Sequence, residues 1–213
     1  MPFELGHPLG AANNPAFQKK VLLAVLKLLE APNGPVLVDF PEDSPISNSN
    51  DGPIIIACPF IPLRKESDNT ETELCGAFRT EMRAIRPWYD MAVTKRERTT
   101  VGISKLELDE MGKFICSFLT GIPDNPRKDI SLGYELRFAA DDLKAYYYEA
   151  AGVQPGMESV TSEALTKWFW EETAAGKILI AVRDVCLKSQ IDSLVRVGKG
   201  QLLPAKLASR MAK

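Results

Sequence analysis

Histidine is almost missing from this chain: its 213 residues include one, His7. Ferritin-like di-iron bundles draw ligands from paired Glu-x-x-His motifs, so a single histidine excludes that class. Phosphate loops are missing too. Neither G-x-x-x-x-G-K followed by Ser or Thr nor G-x-G-x-x-G occurs, which removes P-loop and dinucleotide-binding chemistry. The four cysteines, Cys58, Cys75, Cys116 and Cys186, share no C-x-x-C spacing. The N-terminus has no charged-then-apolar export layout, so reduced thiols and a cytoplasmic location are expected. No stretch reaches the roughly 20 apolar residues of a membrane span. The best run, Val21 to Leu29, is interrupted by Lys27. An excess of one charge is also lacking. With 26 basic against 28 acidic side chains, the chain has no field to steer nucleic acid or an anionic membrane. No metal and no cofactor are expected.

What remains is the composition of an ordinary globular protein, 45% hydrophobic and 25% charged. Residues 1–14 are rich in Gly, Pro and Asn and read as an irregular arm. Pro15 suits the first turn of a helix, and Phe17, Val21, Leu22, Val25, Leu28 and Leu29 follow at helical spacing. Two apolar runs bounded by prolines, Val36–Phe40 and Ile54–Cys58, read as short strands. Thr70 with Glu73 forms a capping box opening a helix to about Ile85, with a kink or restart at Pro87. Ser104 with Glu107 forms a second capping box ahead of the stripe Leu108, Met111, Ile115, Phe118. The next helix spans roughly 131–151. The longest is expected from Ser162 to about Lys188, with Leu165, Trp168, Ala175, Leu179, Val182 and Cys186 on one face. The expected fold is mainly α, an antiparallel bundle of about four main helices with an irregular N-terminal arm and at most two short strands. The arm occupies 1–69 with one helix, the bundle 70–203 and a basic tail 204–213.

Several residues invite chemistry. In the expected long helix Glu172 falls between Trp168 and Ala175 in the apolar seam, and Glu81 stands likewise between Phe78 and Ile85. Asp142 and Glu149 border the tyrosine-bearing face of the third bundle helix. Buried carboxylates need partners. These acids either form a site or pair with Arg79, Arg83, Arg98, Arg137 or Arg183. Cys58 ends an apolar run just before Pro59, where the chain turns, and is the best placed thiol, although no base or cation stands beside it. Trp88, Tyr89, Arg98 and Thr99 lie in a dense polar and aromatic segment that can clamp an anion or form a solvated helix end. Consecutive helical residues point about 100° apart, so each of Trp168-Phe169-Trp170 and Tyr146-Tyr147-Tyr148 has a member leaving the core face. Trp170, Tyr146 and Tyr148 are therefore the candidate interaction residues.

The segment Leu5-Gly6-His7-Pro8-Leu9-Gly10 through Asn14-Pro15-Ala16-Phe17-Gln18-Lys19-Lys20-Val21-Leu22 resembles proteins akin to the B component of glycine, sarcosine and betaine reductases. In these a Pro-Leu-Gly turn precedes a helix opening on a Gln and basic residues. The family's redox-active selenocysteine or cysteine motif has no counterpart here, so the resemblance implies association with such systems. After residue 70 the chain looks like an uncharacterised bacterial helical domain. Two readings follow. One is a non-catalytic helical accessory protein that binds a protein partner or itself. The other is an enzyme or small-ligand-binding protein, reductase-associated, with a site built on Glu172, Glu81 and Cys58.

Overall fold

The computed structural model describes residues 14–42, 71–155 and 162–204, together with Leu9, Val160 and Leu207. The chain divides into two compact units, Met1–Pro53 and Ile54–Lys213. The described residues form helices and loops, with no strand among them.

In the first unit Asn14 caps α1 (Pro15–Lys27), its side chain accepting from the Phe17 amide at 3.1 Å, and Pro15 occupies the first helical position. A 3-10 turn, Leu28–Glu30, ends the helix. The following segment folds back: Phe40 sets its ring edge-on to Phe17 with centroids 6.0 Å apart, and Lys20 pairs with Glu42 at 2.9 Å. Val36–Phe40 is irregular, not a strand. A lone extended segment has no ladder partner for its backbone, and the apolar run Ile54–Cys58 expected beside it lies outside the described residues.

The second unit holds α2 (Glu71–Arg96), α3 (Leu108–Thr120), α4 (Leu132–Ala151), α5 (Ser162–Glu172), α6 (Ala174–Lys188) and α7 (Asp192–Gly200). The mainly α class expected from the spacing of apolar residues is what forms. α2 packs on α3, α4 and α6, while α7 lies against α4 and α6. Phe78, Ile85, Met111, Ile115, Leu136, Leu143, Tyr147, Phe169, Ile178 and Leu179 are fully buried in the shared core.

Three local expectations give way to tertiary packing. α2 does not restart at Pro87. Phe78, Met82, Ile85, Tyr89 and Ala92 are all buried, so one stripe runs in unbroken helical phase across the proline. Pro87 is itself exposed, and the Tyr146 hydroxyl donates to the Met82 carbonyl at 2.7 Å in the turn before it. Ser104 does not cap α3, which begins four residues later behind Glu107. Its hydroxyl instead serves a carboxylate of α4. Finally, the expected long helix is two helices, α5 and α6, parted at Thr173, whose ψ of 151° is extended. A Cβ on Gly176 would lie 2.2 Å from the Phe169 carbonyl oxygen, so the two helices cross where only glycine fits.

The short helix α7 escaped the reading of apolar spacing, since nine residues give little period to detect. It seats on glycine at both ends of its contacts. A Cβ on Gly133 would fall 2.4 Å from the Ser193 carbonyl oxygen, and one on Gly198 would fall 2.9 Å from the Cys186 Cβ.

Candidate functional site

Helix α4 carries Glu135, Asp142 and Glu149 at seven-residue spacing, two turns apart on one side, and all three are buried. Two of them hold the α2–α3 loop. Asp142 Oδ1 accepts from the amides of Gly102 at 2.8 Å and Ile103 at 3.1 Å. Its Oδ2 accepts from the Ser104 amide at 2.9 Å and the Ser104 hydroxyl at 2.6 Å. Glu149 Oε1 accepts from the Thr100 amide and hydroxyl, both at 2.7 Å, and its Oε2 from the Thr99 hydroxyl at 2.9 Å. Such convergence of successive amides is an anion-binding turn, and here the anions are the chain's own carboxylates. The loop bends sharply to reach them: Glu97 (φ 54°), Gly102 (φ 131°) and Lys105 (φ 62°) all take positive φ. Each non-glycine residue held that way costs about 1 kcal/mol, and the carboxylate hydrogen bonds offset it.

Glu81 of α2 does the same for a helix end. Its Oε2 accepts from the Ala174 amide at 2.9 Å, and its Oε1 from the Ala175 amide at 3.2 Å and the Tyr147 hydroxyl at 2.7 Å. Thr173 Oγ1 takes the Gly176 amide at 2.9 Å, and the Thr173 carbonyl takes that of Lys177 at 3.3 Å. The free amides of Ala174, Ala175 and Gly176 in the first turn of α6 are thereby satisfied, with a negative charge at the positive end of the helix dipole. Burial pushes the Glu81 carboxyl above its usual range, against the pull of these donors and of Lys177.

Glu135 differs. Both of its carboxylate oxygens are buried without a hydrogen bond, and Arg127 Nη1 approaches only to 3.7 Å. Arg127 is committed to Asp129, which it holds down at about 2. Burial raises the Glu135 carboxyl; Arg127 opposes this, while Asp129 and Asp142 add to it.

The residues singled out in the sequence scatter across this picture. Glu81 is inward, but backbone amides and a tyrosine hydroxyl are its partners, not an arginine. Glu172 is exposed, as the last residue of α5 before the break at Thr173. Tyr89 and Thr99 do meet, at 3.0 Å, and Thr99 does bind a carboxylate, which is Glu149. Arg98 is exposed and Trp88 packs half-buried on the core, so the four do not form one clamp. Trp170 and Tyr146 are 5% and 1% exposed, so neither leaves the core, and Tyr148 is half-buried beside Phe169. α4 packs on α2, α3 and α7, and α5 packs on α6 while its Trp168 and Phe169 rings meet Tyr147 of α4, so consecutive aromatics find cover. Cys58 lies outside the described residues.

Glu135 and Thr173 went unnoticed in the sequence. The seven-residue recurrence of acids within an apolar helix face was the available signal for the first. For the second it was a Thr three residues before a Gly, the spacing of a cap. Chemically, Glu81, Asp142 and Glu149 are anchors with saturated oxygens, not free bases. Among the described residues no group of His, Cys, Asp and Glu is arranged to hold a metal ion. A hollow of about 190 Å³ beside Arg83, Arg86 and Tyr146 falls short of the ~300 Å³ at which small-molecule sites begin. Among the described residues no helix is long and apolar enough to cross a membrane. Compared with protein families, curated proteins and solved structures, the chain matches none.

Proposed function

We propose that this chain is a non-catalytic helical accessory protein of the cytoplasm that acts by self-association through its N-terminal unit. The observation that carries the reading is the surface of α1. Leu22, Leu23, Val25 and Leu26 are 44–56% exposed and Leu29 is 82% exposed, while only Phe17 and Val21 of that helix are buried. Leu37 and Val38 of the returning segment are exposed as well. Apolar side chains gathered in one short segment are the mark of an interaction surface, and a second copy offers the same apolar chemistry in return. The saturation of Glu81, Asp142 and Glu149 by internal donors adds support, since it leaves them holding structure together. Sedimentation velocity over a range of concentrations tests this reading. The expected result is a homo-oligomer that the double substitution Leu22→Glu, Leu26→Glu converts to monomer without lowering the unfolding temperature of the helical unit. A wild-type chain that sediments as a monomer throughout the range rejects it.

One observation favours the second reading, a small-ligand-binding protein, reductase-associated as the N-terminal resemblance implies. The Glu135 carboxylate has no hydrogen-bond partner, and a cationic or donor-rich ligand would supply one. Native mass spectrometry of the purified chain decides between the two. A stoichiometric small molecule, lost on Glu135→Gln, supports the ligand reading.

A further inference from the structure

We propose that Cys75 and Cys116 are an oxidation site, a thiol pair that a hydroperoxide converts to a disulfide tying α2 to α3. They stand 41 residues apart in the chain, and the sequence gives no hint of their pairing. The fold places Cys75 Sγ 3.8 Å from the Cys116 carbonyl oxygen, so its thiol donates to the backbone of Cys116 across the α2–α3 contact. Both are free and only partly buried, at the edge of the core. A disulfide requires its sulfurs to close to about 2.05 Å, and the Cys75 sulfur already lies against residue 116. The partners are also held in place beforehand. α2 packs directly on α3, and the loop joining them is fastened to α4 through Asp142 and Glu149. Cys186, by contrast, is fully buried with its thiol pushed up to about 12, and has no part in this chemistry.

Burial and the neighbouring sulfur push the Cys116 thiol up. The Cys75 sulfur, as thiolate, attacks one oxygen of the peroxide. The O–O bond breaks, Cys75 becomes a sulfenic acid, and the other oxygen leaves as hydroxide and takes up a proton to form water. The Cys116 sulfur then attacks the Cys75 sulfur. The S–O bond breaks, and its hydroxyl leaves as water with the Cys116 proton. Two thiols have lost two electrons and one peroxide has become two waters. A dithiol reductant reverses the change by exchange.

The test uses the reduced full-length chain treated with stoichiometric hydrogen peroxide, alkylated, and mapped as peptides without reduction. The expected result is a Cys75–Cys116 linked peptide, loss of alkylation at both positions, and an unfolding temperature that rises and returns with dithiothreitol. Cys116→Ser should show no such rise and should accumulate a sulfenic acid at Cys75 that dimedone traps. Should that variant not fold, the wild-type peptide map decides alone. The proposal is overturned by any of four outcomes: both thiols remaining alkylatable, a link between chains, a link to Cys58, or sulfinic acid without a link.

Discussion

Asp142 and Glu149 carry the same charge on the same side of α4, yet their donors make different demands. Each oxygen of Asp142 faces a backbone amide, Gly102 and Ile103 on one side and Ser104 on the other. An asparagine there must turn its NH₂ toward an amide donor whichever way it flips. Asp142→Asn should therefore cost about 3 kcal/mol. Glu149 offers a way out, because its Oε2 meets only the Thr99 hydroxyl, which can accept, and Thr99 can donate onward to Tyr89. Glu149→Gln should cost under about 1 kcal/mol. Urea unfolding of the two variants compares them, and amide exchange at residues 102–104 should accelerate in Asp142→Asn before global unfolding is reached. Equal losses in both variants would contradict this account. None of the geometry is legible from the residues alone, since Thr99, Thr100 and Ser104 read equally well as a helix end, an anion clamp or a cap. Their role is settled by carboxylates roughly forty to fifty positions away.

Elements were more legible than residues. α1, α3 and α4 follow from apolar spacing, and α1 and α4 also from the proline and serine at their starts, because local periodicity, caps and terminators act within a turn or two. What escaped were the interruptions. The stripe through 165, 168, 172 and 175 is continuous on paper, while the chain breaks at Thr173 to cap α6 and to admit Glu81 to its first turn. Thr173 and Gly176 are the local trace of that break, a Thr three residues before a Gly. Thr173→Ala should cost about 1–2 kcal/mol and expose the Gly176 amide to exchange, whereas Thr173→Ser should restore both. If Thr173→Ala unfolds at the wild-type temperature, the break is not held by this cap. Pro87 is the converse case, a local breaker overruled by a buried stripe on both of its sides.

Over the whole molecule, buried carboxylates shape the dependence of stability on pH. Glu81 and Glu135 both have folded pKa values raised above 4.5, so the folded state holds protons that the unfolded chain gives up. Their contribution is fully present below pH 4.5 and is lost as pH rises through the folded values. Asp129 works in the opposite direction, its contribution falling away as pH drops from 3.8 toward about 2. Glu135→Gln mimics the protonated side chain and isolates one group. The unfolding temperature of Glu135→Gln minus that of wild type should be smallest near pH 4.5 and grow toward neutral pH, then level off. A difference that shrinks with rising pH would mean that Arg127 outweighs burial at this position.

The sequence by itself determined the mainly α class, the start of α2, the end of α3, both ends of α4, the outer limits of the α5–α6 pair and most of the apolar positions they bury. Those features rest on interactions between residues three and four apart. The tertiary structure alone decided which acids lie inside and what they hold. A buried carboxylate must find donors, and the donors for Glu81, Asp142 and Glu149 come from other elements of the chain. The pairing of Cys75 with Cys116 was decided in the same way, by the packing of α2 on α3. So was the burial of Trp170 and Tyr146, because whether a helix face meets solvent depends on the number of neighbours around it, which no local pattern records.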